Sequence, residues 1–118
     1  MKNYIMISLL SVFFVTTSCV QKTTHQKVVF NLDVKGIKNI KKVGLRGEKP
    51  LGWNFDTEMK LGKDSIYSAT IDFETGYKFV QYKFTINEEF ELKDKENRRA
   101  YFNSKGITTV LEKFEIVK

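Results

Sequence analysis

The chain contains one His, His25, and one Cys, Cys19. A nucleophilic triad needs an imidazole as its base, and one chain with one His cannot build a site from two imidazoles. A single thiol likewise excludes an internal disulfide framework and a Cys-rich zinc site. Carboxylates are more plentiful, and Glu88, Glu89 and Glu91 crowd one short stretch. Glycoside hydrolysis places two carboxyl groups around the scissile bond at a defined separation. These three are neighbours along one strand end and read as a solvated acidic turn. There is no Gly-rich phosphate loop and no metal-ligand spacing. The expectation is a protein that is not an enzyme, with no metal and no cofactor.

Binding chemistry is easier to assemble. A sugar ring has an apolar C–H face and a polar rim. A flat aromatic side chain covers the face, while Lys, Asn and backbone groups hydrogen-bond the rim. Trp53 is the only Trp and sits in a Gly-flanked loop, Pro50-Leu51-Gly52-Trp53-Asn54. On position alone it serves either as such a platform or as a cap on one end of the core. Lys83 has a similar ambiguity, since it alternates with Tyr82 and Phe84 and suits a solvated strand face. Asn97 and Arg98 suit a turn held by side-chain to backbone bonds.

These residues must be positioned by strands. The sequence has 118 residues, 42% hydrophobic and 14% aromatic, enough for one domain with one core. From Lys27 the pattern has period two, with Val28, Phe30, Leu32 and Val34 on one face. Further strands are expected at 41–46, 58–61, 66–73, 78–87, 90–92, 101–102 and 108–117, separated by Gly, Asn and Asp turn signals. The one Pro, Pro50, falls in a loop where it interrupts no ladder. Seven or eight strands with no credible helix predict an all-β fold, an antiparallel immunoglobulin-like β-sandwich.

The N-terminus carries a different signal. Lys2 precedes an uncharged apolar run, residues 5–15, and then the small polar residues Thr16-Thr17-Ser18. That order is a secretory signal peptide, too short to span a bilayer. Cys19 follows Ser18 directly, which resembles a bacterial lipoprotein signal in which the Cys is lipidated and becomes the first mature residue. The expected organisation is a signal peptide at 1–18, a polar tether at 19–26 that includes His25, and the sandwich at 27–118. The protein is then exported and held by a lipid anchor at the membrane of the cell envelope. The formal charge of +6 is spread over 20 basic and 14 acidic residues. Solvated strand faces account for it, and no nucleic acid partner is expected of an exported chain.

From Val28 to Val117 the sequence resembles the family-20 carbohydrate-binding modules, the starch-binding domains, and more loosely the glycogen-binding domains. The likeness rests on four stretches in order: KVVFNLDV; VGLRG followed by PLGW; IYSATIDFETGYKFVQYKF; and FELKDKENRR. The resemblance implies an α-glucan site made of Trp53, Lys83, Phe90 and Asn97, with Trp53 and Phe90 as the stacking aromatics. Ile66 stands where the family's second site has a Trp, so one site is expected. The implied function is a non-catalytic starch-binding or α-glucan-binding module at the cell envelope, holding polysaccharide near glycan-degrading enzymes. The alternative is a structural or protein-binding β-sandwich lipoprotein without sugar binding.

Overall fold

Alternating apolar residues from two sheets meet in one core. The computed structural model describes residues 22–91 and 95–115. The expected signal peptide and Cys19 lie outside the described residues, as does the end of the last expected strand. The strands are β1 (Thr24–Asp33), β2 (Val43–Gly47), β3 (Thr57–Glu58), β4 (Lys60–Leu61), β5 (Ile66–Thr75), β6 (Phe79–Ile86), β7 (Glu89–Phe90), β8 (Arg98–Tyr101) and β9 (Ile107–Lys113). Among the described residues there is no helix. One sheet has the order β4-β5-β1-β9, and the other has β3-β2-β6-β7 with β8 also paired to β6. The expected all-β sandwich therefore forms, with nine strands among the described residues rather than seven or eight. One ladder departs from the antiparallel expectation: β1 and β9 run parallel, with Phe30 opposite Val110.

β1 begins at Thr24, so the last three residues of the expected tether, His25 among them, belong to the sheet. His25 lies opposite Glu74, with Nε2 3.6 Å from Oε2 and both side chains exposed. Such a pair contributes little to stability.

Val28, Phe30 and Leu32 of β1 are fully buried, as are Val43 and Leu45 of β2 and Phe84 of β6. Phe30 stands edge-on to Tyr82 at 4.7 Å between ring centroids, and Phe30 and Phe73 meet at 6.3 Å. Each edge-on pair adds about 0.5–1.5 kcal/mol beyond the area it buries. Burial, reinforced by the nearby charge of Glu112, pushes the Tyr82 phenol well above its ordinary pKa, so the core stays uncharged there.

β6 changes partner along its length. It pairs with β7 at Thr85 and Ile86 and with β8 from Phe79 to Tyr82. The Glu91 side chain fills the gap between the two partners. Its backbone N–H donates to the Phe84 carbonyl at 3.1 Å, and its carboxylate accepts from the Phe84 N–H at 3.0 Å. The same carboxylate takes two parallel bonds from Arg98, at 2.7 and 2.9 Å. Arg98 also donates to the Lys113 carbonyl of β9 at 2.9 Å, and its Nη1 lies 3.4 Å from Glu112. One guanidinium therefore ties the edge of one sheet to the edge of the other. Burial opposes its charge, but the bonds and charge of Glu91, helped by Glu112, outweigh that and hold its pKa above the ordinary value.

Glu91 is thus no part of a solvated acidic turn: it is 0% exposed, whereas Glu88 and Glu89 are exposed. Those two lie in or beside the β6–β7 turn, where Asn87 and Glu88 adopt φ of 52° and 70°. Two successive positive values are those of a type I′ hairpin turn. Nor does Arg98 simply shape a turn.

Removing one partner of a buried pair strands the other. Arg98→Met is expected to lower stability by about 3–5 kcal/mol. Adding Glu91→Gln should recover much of that, because the amide oxygen still accepts from Phe84 and no buried charge is left. Urea unfolding of both variants measures the difference. A double variant no more stable than Arg98→Met excludes the stranded charge as the cause.

Candidate functional site

Residues directly opposite one another on paired strands share a face of the sheet. Tyr82 and Phe84 of β6 face the core, so Gln81, Lys83 and Thr85 point outward. Register then places Arg46 of β2 beside Lys83, Phe90 of β7 beside Thr85, and Arg99 of β8 beside Gln81. An outer sheet face normally meets water, yet Lys83 is 8% exposed and Thr85 is 0% exposed. Two loops supply the cover.

The first loop, residues 48–56, leaves β2 and folds back over Arg46. Glu48 secures its start: the Glu48 N–H donates to the Gln81 carbonyl at 3.2 Å, and the Gln81 N–H donates to the Glu48 carboxylate at 3.0 Å. Leu51 is buried against the molecule. Asp56 secures the loop's end. It accepts from Arg46 Nε at 2.6 Å and from the Thr85 hydroxyl at 2.9 Å, and Lys42 Nζ lies 3.7 Å away. The Arg46 and Asp56 side chains are 13% and 7% exposed.

This arrangement requires Gly44. A Cβ there would lie 2.5 Å from Asp56 Cγ and 2.6 Å from the Thr85 hydroxyl oxygen. The absent side chain is the space the carboxylate occupies.

The second cover comes from residues 95–97, which lie against Lys83 and Gln81. Lys83 Nζ donates to the Lys95 carbonyl at 3.1 Å. Asn97 Nδ2 donates to Gln81 Oε1 at 3.2 Å. Both bonds fasten the loop to outward residues of β6.

The four residues expected to bind sugar come from four separate segments and gather around the Arg46–Lys83 rung. Arg46 joins two of them: its Nη1 donates to the Trp53 carbonyl at 3.2 Å, and its guanidinium lies 4.9 Å from the Phe90 ring centroid. That contact is a cation–π pair in a largely desolvated place. Trp53, Phe90 and Asn97 are each partly exposed, while Lys83 is buried beneath the second loop. Lys83 therefore carries a loop residue, and Trp53 and Asn97 are the members with surface toward solvent on the two loops themselves. One face of Phe90 is taken by Arg46.

Several residues of this site escape sequence reasoning. Arg46 and Asp56 hold it together, yet each resembles an ordinary charged surface residue. The available signal was Gly44, two residues before Arg46 and inside a strand between Val43 and Leu45. A Gly inside a strand marks a close approach by another group. Phe55 was also missed: it is 55% exposed, and its ring lies against Gly52 in the Trp53 loop.

The arrangement offers a partly exposed Trp53, a phenyl ring on β7 and a carboxamide, held together through Arg46 and Gln81. That set suits stacking on an apolar ring face with a hydrogen bond at its rim. Gly44→Ala tests the bracing. The new methyl displaces Asp56, which frees Arg46 and with it the Trp53 carbonyl. A stability loss of about 1–3 kcal/mol is expected. Trp53 is the sole Trp, so its emission should shift to longer wavelength in the folded state, measured by fluorescence at low denaturant. Unchanged emission would separate Gly44 from the Trp53 loop.

In comparison with known proteins, no family model matches this chain, and no curated protein matches it.

Proposed function

We propose that this chain is a non-catalytic binding module for an α-glucan, presented at the cell envelope through lipidated Cys19. The observation that carries the reading is the convergence of Trp53 and Asn97, 44 positions apart in sequence, on two loops fastened to the same rungs of β6. The indole stacks on the face of a glucose ring, and the Asn97 amide bonds a ring hydroxyl. Arg46 links the Trp53 backbone to the Phe90 ring. Lys83 acts from below by holding the Asn97 loop.

A site with one accessible indole and one amide is a weak one. Many lipid-anchored copies on a membrane compensate, since a polymer bound at one copy meets the next at high effective concentration. The module then holds polysaccharide beside glycan-degrading enzymes of the envelope.

A second reading has its own support. The Lys83 and Asn97 side chains already have partners inside the protein, as they would in a structural or protein-binding sandwich without a sugar site. Affinity electrophoresis through gels containing amylose or glycogen separates the two. Retarded migration is expected, and Trp53→Ala should weaken binding about tenfold or more, the loss seen for a central aromatic anchor. Equal migration in gels with and without glucan favours the second reading.

A further inference from the structure

The outward face of β6 continues past the two loops. Beyond Gln81 the next rung is Phe79 opposite Tyr101. Their rings lie 5.2 Å apart at 44°, and Tyr101 is 59% exposed. Arg99, on the rung between, places its guanidinium 4.9 Å from the Phe79 ring centroid, and its Nη1 lies 3.5 Å from the Tyr101 hydroxyl. An exposed tyrosine on a half-buried phenylalanine, braced by an arginine, is a second flat platform. It is continuous with the first through Gln81, which faces Arg99 across the ladder and accepts the Asn97 hydrogen bond. The Arg46–Lys83 rung, to which the Trp53 loop is tied, and the Phe79–Tyr101 rung are four residues apart along β6, about 13 Å. A single sugar ring does not cover that length, whereas several linked rings do.

We infer that Tyr101, backed by Phe79 and Arg99, is a second stacking platform on the same face, so that the module binds an extended glucan along β6 rather than one terminal ring. The inference rests on the glucan reading above. The occupant is the same uncharged chain, entering from the Trp53 loop. The paired rings of Phe79 and Tyr101 suit the apolar face of a sugar ring, and the Arg99 guanidinium braces them from Phe79 to the Tyr101 hydroxyl. Arg99 and Gln81 lie between the platforms, where hydroxyls of the intervening rings pass.

The test is a titration of the full chain with linear α-1,4-glucose oligomers of two to seven units. Affinity is expected to climb once the oligomer is long enough to reach Tyr101. Tyr101→Ala should bring the long oligomers about tenfold down, toward the affinity of the short ones, and Tyr101→Phe should retain the climb. Tyr101 is exposed, and Trp53 fluorescence confirms that the variants keep the neighbouring loop intact. A wild-type affinity independent of length, or a Tyr101→Ala variant with the full climb, overturns the second platform and leaves the first standing. No binding at any length overturns both.

Discussion

β6 is covered on both faces from Tyr82 to Ile86, and the rest of the molecule answers to that constraint. A strand buried on both faces is usually apolar throughout. This one is not, because its outward positions hold Lys83 and Thr85. Each buried polar atom must then find a partner or cost about 1–3 kcal/mol. Thr85 finds Asp56 and Lys83 finds the Lys95 carbonyl. Those partners sit on loops, so satisfying β6 fixes where the loops go. Loop placement here follows from the hydrogen-bonding demands of one strand.

Two buried ion pairs divide the task. Glu91–Arg98 works at the rim between the sheets and decides how the sandwich closes. Arg46–Asp56 works on the outer face and decides how the Trp53 loop lies. Neither pair is a strong net source of stability, because desolvating two charges offsets most of their attraction. Their value is in orientation: each charge satisfies several partners at fixed angles, and an apolar replacement of equal volume would satisfy none. Arg46 meets a carboxylate, a carbonyl and an aromatic face at once, which a planar guanidinium with several donors can do and an ammonium cannot.

The long strands were legible in the sequence because one face of each is apolar. Val28, Phe30 and Leu32 announce β1 through period two alone, and β6 is announced by Val80, Tyr82, Phe84 and Ile86. The alternation shows which residues face inward but not which way the neighbouring strand runs, so the parallel β1–β9 ladder was unreadable. β8 was expected only at 101–102, and its start at Arg98 was missed, for a different reason. Its inward residues are Arg98 and Ala100, and an inward Arg looks like a loop residue until its partner Glu91 is known. Of the site, the resemblance picked out four residues that do gather on one face. It could not show that Lys83 is buried, because strand periodicity carries no information about the segment at Lys95 that meets it. Arg46 and Asp56 were invisible for the same reason: both are polar residues buried by a chain segment with no periodic pattern.

The way the loops are fastened bears on what the surface residues are free to do. Arg46 holds Trp53 by its backbone carbonyl, so this bond fixes the loop without engaging the indole. Had the indole itself been the anchor, as in a core-capping Trp, its face would have been spent on packing. The same logic separates Asn97 from Lys83. Asn97 uses one amide hydrogen on Gln81 and retains a carbonyl oxygen and a second N–H, whereas the Lys83 ammonium is enclosed. A binding surface built from fixed backbone and free side-chain faces needs little ordering when a ligand arrives. That saves the conformational entropy that weakens loop-borne sites, which matters most for a small contact area such as the one proposed.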